Sequence, residues 1–115
     1  MSLPRNAMLL RIFVGENAKH GRQPVYEALV LKAKERGLAG ATVLRGPMGF
    51  GHSSRLHTAK ILRLSDDLPL VVEIVDTEEK IGLFLPDVEE IVADHGLVTL
   101  ENVQVLQYGP VRPQG

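Results

Sequence analysis

The chain has 115 residues, no cysteine and a formal net charge of −1. This length suits one domain with a single core, so we predict one domain over residues 1–115. The missing cysteines exclude disulfides and thiolate metal sites, and the balanced charge argues against a nucleic-acid partner. No apolar run reaches the roughly 18 residues that a membrane span needs, and the first residues lack the apolar stretch of a signal peptide. We therefore expect a cytoplasmic protein.

The first third of the chain predicts a strand followed by a helix. Residues 8–14 are apolar except for Arg11 and form the strand, and residues 15–21 are a turn-rich loop. Pro24 suits the first turn of the helix because its missing N–H needs no partner there, and Gly37 suits the C-terminal cap. The apolar positions between them recur at helical spacing: Val25, Leu29 and Ala33.

A second strand over residues 41–44 leads into the longest connection in the chain. A hairpin needs only two to five residues, so a connection of this length is typical of a functional loop. We predict that residues 47–59 are mobile without a ligand or partner, because they are rich in glycine and polar side chains. Residues 60–64 are predicted to extend the next strand as an arm.

A third strand and a second helix follow the loop. Residues 70–75 are the strongest strand signal in the chain. Asp76 or Thr77 can cap the helix, and Pro86 should kink or divide it because proline removes a backbone bond. Its apolar positions again follow helical spacing: Ile81, Phe84, Leu85, Val88, Ile91 and Val92.

The last strand closes the predicted fold. Gly96 ends the second helix, and residues 97–106 form the strand, with an interruption at residues 101–102. The segments 1–7 and 109–115 are predicted to be frayed. The order of elements, βαββαβ, is the ferredoxin-like split pattern. It is an α+β fold in which two helices cover one face of a four-stranded antiparallel sheet.

The face of the sheet away from the helices carries the main prediction about assembly. Alternation places purely apolar sides of the first and third strands under the helices. The opposite sides are mainly apolar with one cation, Arg11, and one anion, Glu73, which we expect to pair. Monomers rarely expose large apolar patches, so we predict self-association through this face. The alternative is that the loop or the tail folds back over it. The predicted interface consists of Leu9, Arg11, Phe13, Val71, Glu73 and Val75.

The base of the long loop combines glycines with cations. Backbone N–H groups at glycines can bind an anion, and arginine side chains can supply charge. The glycines fit sharp turns equally well, and no Gly-Lys-Ser/Thr sequence of a P-loop follows. The predicted ligand-binding residues are Arg45, Gly46, Met48, Gly49, Phe50, Gly51 and Arg55.

The remainder of the loop is predicted to dock on a partner protein. Phe50 is either an apolar anchor for a partner or a stacking surface for a nucleobase, or it packs against the residues at the start of its own loop. Two loop histidines are a weak metal signal, and no set of catalytic groups with defined roles is visible, so we expect neither a metal, a cofactor nor an enzyme. The predicted docking residues are Phe50, His52, Ser53, Arg55 and His57.

Three segments resemble a known family: residues 40–51, 54–64 and 72–80. The first reads GATVLRGPMGFG, the second begins SRLHT, and the third reads VEIVDTEEK. Together they resemble an uncharacterised bacterial and archaeal family of the P-II-like superfamily of trimeric signalling proteins, over about residues 8–106. The resemblance implies a homotrimer whose sheets face a central axis. It also implies adenine nucleotides in the clefts between subunits, and a loop that corresponds to the partner-docking T-loop.

The resemblance also bears on the partner. Members of this family are often encoded beside fluoride-channel proteins, which implies a membrane channel or transporter as one candidate. The chain lacks the loop-tip tyrosine that many nitrogen-regulatory P-II proteins modify. It also lacks their glycine- and basic-rich nucleotide segment, because residues 93–96 lead directly into the last strand. The prediction is a ligand-binding P-II-like regulator. The alternatives are a ligand-free trimeric interaction module, a small enzyme using the loop as a lid, and a metal-binding protein.

Overall fold

The computed structural model describes residues 3, 5–50 and 67–109, and these form the predicted ferredoxin-like α+β fold. The main sheet is antiparallel and has the order β4-β5-β1-β6. Its strands are β1 (Asn6–Gly15), β4 (Thr42–Arg45), β5 (Pro69–Asp76) and β6 (Gly96–Gln104). The other elements are the two-residue strands β2 (Lys19–His20) and β3 (Gln23–Pro24) and the helices α1 (Val25–Glu35) and α2 (Glu78–Val92).

The predicted loop after β1 contains a small hairpin that the sequence did not indicate. In it Lys19 pairs with Pro24 and His20 with Gln23. The turn has Gly21 at φ +65°, a left-handed conformation that glycine adopts without steric cost. The Val25 N–H donates to the Ala18 carbonyl at 2.9 Å, which ties the hairpin to the start of α1.

Local signals placed the ends of α1 well. Pro24 is the residue immediately before the helix, rather than within its first turn. Gly37 follows the helix at φ +74°. The Gly37 N–H donates to Lys34 O and the Leu38 N–H to Ala33 O, which is the Schellman arrangement that satisfies the last carbonyl groups.

The second helix begins with a threonine cap. Thr77 Oγ1 accepts the Lys80 N–H at 3.0 Å, as expected of an N-cap. Pro86 lies within α2, so the expectation that it divides the helix was wrong. Pro86 is exposed, whereas Phe84 and Val88 on either side of it are buried and hold both turns against the sheet.

The strand after α2 differs from the prediction at two points. α2 ends at Val92, and Gly96 is the first residue of β6 rather than the helix terminator. A Cβ at Gly96 would lie 2.5 Å from the Phe13 carbonyl oxygen, so glycine permits a close approach of the two strands here. β6 then continues to Gln104 without the predicted interruption, because Glu101 pairs with Leu9 and Asn102 with Met8.

The core lies between the helices and one face of the sheet, as the alternation predicted. The helix-facing residues of β1 and β5 are buried, and they pack with the predicted apolar faces of both helices. The largest fully buried side chain is Phe84. In β1, pairing begins at Asn6, so the strand includes the last two residues of the segment predicted to be frayed.

Asp76 is a fully buried carboxylate whose role is structural. It does not cap α2; its Oδ2 accepts the Ala39 N–H at 2.8 Å and its Oδ1 accepts the Thr77 N–H at 2.7 Å. These bonds join the end of β5 to the loop between α1 and β4. The charge and both oxygens of the carboxylate are therefore used to satisfy backbone donors.

We expect Asp76→Asn to lower the free energy of unfolding by about 1–3 kcal/mol. The amide offers one oxygen to two N–H donors and turns its NH₂ group towards one of them, which leaves a buried donor unsatisfied. Urea denaturation at constant protein concentration measures the change. Glu79→Gln, an exposed substitution on α2, is the matched control. A loss for Asp76→Asn no larger than that of the control would contradict this role.

Candidate ligand cleft and open sheet face

A cleft of about 760 Å³ lies at the end of the sheet where β1 ends and β5 and β6 begin. Volumes of this size are typical of small-molecule sites. The cleft is formed by segments that are far apart in sequence: the end of β1 with the turn after it, the base of the long loop, the start of β5 and the α2–β6 connection. Its lining residues are Phe13, Val14, Gly15, Asn17, Ala18, Lys19, Met48, Gly49, Phe50, Asp67, Pro69, His95, Gly96 and Leu97.

The loop base forms one wall of the cleft through close contact with Pro69. The Gly46 N–H donates to the Pro69 carbonyl at 2.8 Å. A Cβ added at Gly46 would lie 2.9 Å from Pro69 Cγ, and one at Gly49 would lie 3.1 Å from the same atom. Neither glycine has a positive φ, so the alternative that the loop glycines permit sharp turns at positive φ does not hold for these two. Both positions favour glycine because the loop passes so close to the Pro69 ring that a side chain would crowd it.

Arg45 forms an ion pair with Glu16, and both residues lie next in sequence to residues of the cleft walls. The Arg45 guanidinium contacts the carboxylate of Glu16, which follows β1. The Glu16 N–H in turn donates to the Leu68 carbonyl at 2.8 Å, so the carboxylate is carried on an anchored backbone. Arg45 and Gly46 are not among the lining residues, whereas Met48, Gly49 and Phe50 are.

The opposite wall is the turn after β1. The Asn17 N–H donates to Asp67 Oδ1 at 3.0 Å, and a Cβ at Gly15 would lie 2.6 Å from that same oxygen. This turn leads into the β2–β3 hairpin and brings Lys19 to the cleft. The sequence pattern predicts only a plain loop here and gives no indication of a role for Lys19.

Apolar side chains at the cleft are exposed rather than packed away. Phe50 is 73% exposed, so it does not bury itself against the base of its own loop. Met48 is also exposed, and the sheet contributes two further exposed residues to the cleft lining, Phe13 and Leu97. The cleft therefore presents an apolar surface beside a small set of polar groups, which is the usual composition of a ligand site.

Several predicted site residues lie outside the described part of the chain. They are Gly51, His52, Ser53, Arg55 and His57, together with the arm over residues 60–64. The predicted mobility of the loop concerns the same region from residue 51 onwards. Those expectations remain predictions.

The open face of the sheet contains an apolar row across all four strands. Leu44, Val71, Phe13 and Leu97 stand directly opposite one another in successive strand pairs. Phe13 is 38% exposed, Leu44 49% and Leu97 58%. Large apolar side chains aligned in this way on a bare face are typical of an interaction surface. The predicted interface residues Phe13 and Val71 form its centre, and Leu44 and Leu97 extend it to both edges.

A charged row lies beside the apolar one. Arg11 Nε donates to Glu73 Oε2 at 2.9 Å, which confirms the predicted pair, and Nη1 donates to Glu101 Oε1 at 3.2 Å. The hydrogen bond to Glu73 raises the pKa of Arg11 above its ordinary value. Glu101 was missed because it lies in the segment predicted as an interruption. The alternation of β6 itself was the available signal, since it places Thr99 and Glu101 on the open face.

The C-terminal segment covers one end of this face. After β6, the Val105 N–H donates to the Arg5 carbonyl at 2.6 Å, and the Tyr108 hydroxyl donates to the Ala39 carbonyl at 2.7 Å near β4. Residues 105–108 line a groove with the open-face residues Glu73 and Val75. Leu9 is buried although it points away from the core. The described part of the tail thus lies along this end of the sheet, as the alternative expected, whereas Phe13, Leu44 and Leu97 of the apolar row are exposed.

The fold and the arrangement of its sheet are those of P-II-like proteins, and the chain belongs to the DUF190 family, described as "Uncharacterized ACR", whose model matches residues 7–105. It is 48% identical to a UPF0166 protein of Aquifex aeolicus (strain VF5) over 99 residues, covering 85% of this chain and 91% of that protein. It is 33% identical to a UPF0166 protein of Methanocaldococcus jannaschii over 99 residues, covering 86% and 91% respectively. These relationships confirm the family resemblance.

Solved structures share the fold at low sequence identity. CPII from Thiomonas intermedia K12, bound to ADP, AMP and acetate, superimposes with a TM-score of 0.63 at 18% identity, covering 93% of this chain and 94% of that one. A putative PII-like signaling protein from Thermus thermophilus gives a TM-score of 0.59 at 21% identity, covering 91% and 93%. Neither helix in the described part of the chain has the length and apolar character needed to cross a membrane.

Proposed function

We propose that this protein is a P-II-like regulator that assembles as a homotrimer through its open sheet face and binds an adenine nucleotide in the cleft at the base of the long loop. Binding there would change the position of the loop, which docks on a partner protein. The protein would act by binding rather than by catalysis. The observation that carries this proposal is the cleft itself, whose walls include the loop base at Met48, Gly49 and Phe50.

The cleft is continuous with the proposed assembly surface. Phe13 and Leu97 line the cleft and also belong to the apolar row of the open face. A second copy placed on that row would therefore lie next to the cleft and close its open side. This continuity supports a ligand site between subunits, with three equivalent clefts in a trimer.

The chemistry of the cleft suits a nucleotide. An exposed phenylalanine offers a stacking surface for a flat base, and such stacking contributes about 1–3 kcal/mol. Lys19, Asn17 and His95 supply charged and polar contacts at the other side of the cleft. CPII, which shares the fold, is described as bound to ADP and AMP. The ligand class is therefore supported both by the residues and by the structural neighbour.

A ligand that contacts the loop base can influence how the loop binds a partner protein. Phe50 is itself one of the residues predicted to dock, and the others follow it in the loop. A ligand that prefers one position of the loop base shifts the loop towards that position by its differential affinity. A ligand-free interaction module would retain the trimer and the loop but show no such effect, and it is the second candidate because the apolar row could hold subunits together without a ligand in the cleft.

We expect ADP to raise the melting temperature, and Phe50→Ala to weaken ADP binding by about tenfold or more through loss of the stacking surface. Isothermal titration calorimetry measures the affinity. Leu83→Ala is the matched control, because Leu83 is also 73% exposed but lies on α2, outside the cleft lining. If ATP, ADP, AMP and cyclic nucleotides all fail to bind at millimolar concentration, the ligand-free module becomes the better account.

A further inference from the structure

We propose that Lys19, carried by the β2–β3 hairpin, is the cation that binds the anionic end of the ligand in the cleft. Arg45, the residue that the sequence favoured for this role, is occupied by Glu16. The inference rests on the proposed function for the identity of the ligand as a nucleotide. In this arrangement the cleft recognises the negative charge of phosphate groups through a side chain of the hairpin after β1.

Two hydrogen bonds of the preceding residue, Ala18, and the strand pairing of the hairpin hold the backbone of Lys19 at the cleft. The Ala18 N–H donates to the Gly15 carbonyl at 3.2 Å, and the Ala18 carbonyl accepts the Val25 N–H at 2.9 Å. Lys19 itself pairs with Pro24 in the hairpin. The backbone on which the ammonium is mounted is thus anchored to both the end of β1 and the start of α1. A ligand contact at this position requires little additional ordering of the chain.

The charge of Lys19 has no counterion among the described residues. Glu16 contacts Arg45, while Asp67 accepts the Asn17 N–H at its Oδ1. Within that part of the chain, no carboxylate lies within salt-bridge distance of the Lys19 ammonium. A lysine ammonium is a compact charge with three donors and suits a phosphate group. Among the described residues, an anionic ligand therefore meets an unpaired cation at Lys19, whereas the guanidinium of Arg45 is already engaged with Glu16.

The position of Lys19 also orients the ligand. Lys19 comes from the wall formed by the turn after β1, whereas Met48 and Phe50 come from the wall formed by the loop base. A nucleotide would place its base against the apolar residues and its phosphates towards the hairpin. Phosphate recognition and loop contact would then be made by opposite ends of the same molecule.

Calorimetry with ADP, adenosine and tripolyphosphate tests the inference on the full-length protein. We expect Lys19→Gln to weaken binding of ADP and of tripolyphosphate by about tenfold or more, as for loss of a charged hydrogen bond, and to change adenosine binding less than about twofold. Lys19→Arg should retain most of the affinity because it keeps the charge. Arg22→Gln is the matched control, since it removes one charge from the same hairpin at a residue outside the cleft lining.

The remaining outcomes separate this inference from the proposed function. An equal loss for ADP and adenosine in Lys19→Gln, or an Arg45→Gln loss at least as large as that of Lys19→Gln, would overturn the role of Lys19. If the unmutated protein binds tripolyphosphate in a Lys19-dependent way but no nucleotide, the inference stands and the nucleotide function fails. If it binds neither, both fail.

Discussion

Removing both carboxylates that contact Arg11, with Glu73→Ala and Glu101→Ala together, should convert the proposed trimer largely to monomer at micromolar concentration. In one subunit Arg11 and Glu73 are partly accessible, with side-chain exposures of 40% and 29%. Assembly through the open face would take them out of water. Leaving Arg11 uncompensated in such an interface costs roughly 3–5 kcal/mol, which corresponds to a loss of about two to four orders of magnitude in affinity.

The two-carboxylate arrangement predicts a graded effect. Glu73→Ala alone leaves Arg11 with Glu101 at 3.2 Å, so the single substitution should weaken assembly less than the double one. Light scattering and sedimentation over a range of concentrations measure the association. Glu79→Ala with Glu90→Ala is the matched control, because it removes two carboxylates from the exposed surface of α2. A monomeric unmutated protein at micromolar concentration would refute assembly through this face.

Phe84→Ala should lower the free energy of unfolding by about 3–5 kcal/mol. Phe84 is only 1% exposed and is the largest fully buried side chain, set between α2 and the sheet. Alanine would remove most of its apolar contacts and leave a cavity that the rigid sheet cannot fill. Because small domains are stable by only about 5–15 kcal/mol, this loss is a large fraction of the total.

The neighbouring residue provides the control for this experiment. Leu83 precedes Phe84 on the same helix but is 73% exposed, so Leu83→Ala should change the stability by less than about 0.5 kcal/mol. Chemical denaturation at constant protein concentration separates the two variants. Similar losses for both would mean that α2 does not present Phe84 to the core, and the assignment of the buried helix face would have to be abandoned.

The open face of the sheet shows which features the alternation of side chains along a strand can predict. The pattern of β1 and β5 predicted which side lies under the helices, and the pairing of Arg11 with Glu73 followed because both stand on the other side of adjacent strands. The alternation of β6 also indicates Glu101, but the predicted interruption at residues 101–102 concealed it. The burial of Leu9 on the open face and the path of the tail to Ala39 are matters of tertiary packing.

What the sequence determined by itself was what depends on short-range periodicity and local hydrogen bonding. Two-residue and three-to-four-residue repeats identify buried faces, and the Thr77 cap and Gly37 terminus act within one turn of their helices. The family, too, could be recognised from consecutive residues. None of these features depends on contacts between distant segments.

The cleft was decided by the tertiary structure. It unites the end of β1, the loop base, the start of β5 and the α2–β6 connection, and each contributes only a few side chains. The strands of the hairpin that carries Lys19 are two residues long, too short to show any period. The glycines of the loop base, Gly46 and Gly49, permit a close approach to Pro69 of the neighbouring strand, rather than a local turn. Arg45 appeared available for phosphate in the sequence, but the fold brings the Glu16 carboxylate to it from 29 residues away, and the two form an ion pair.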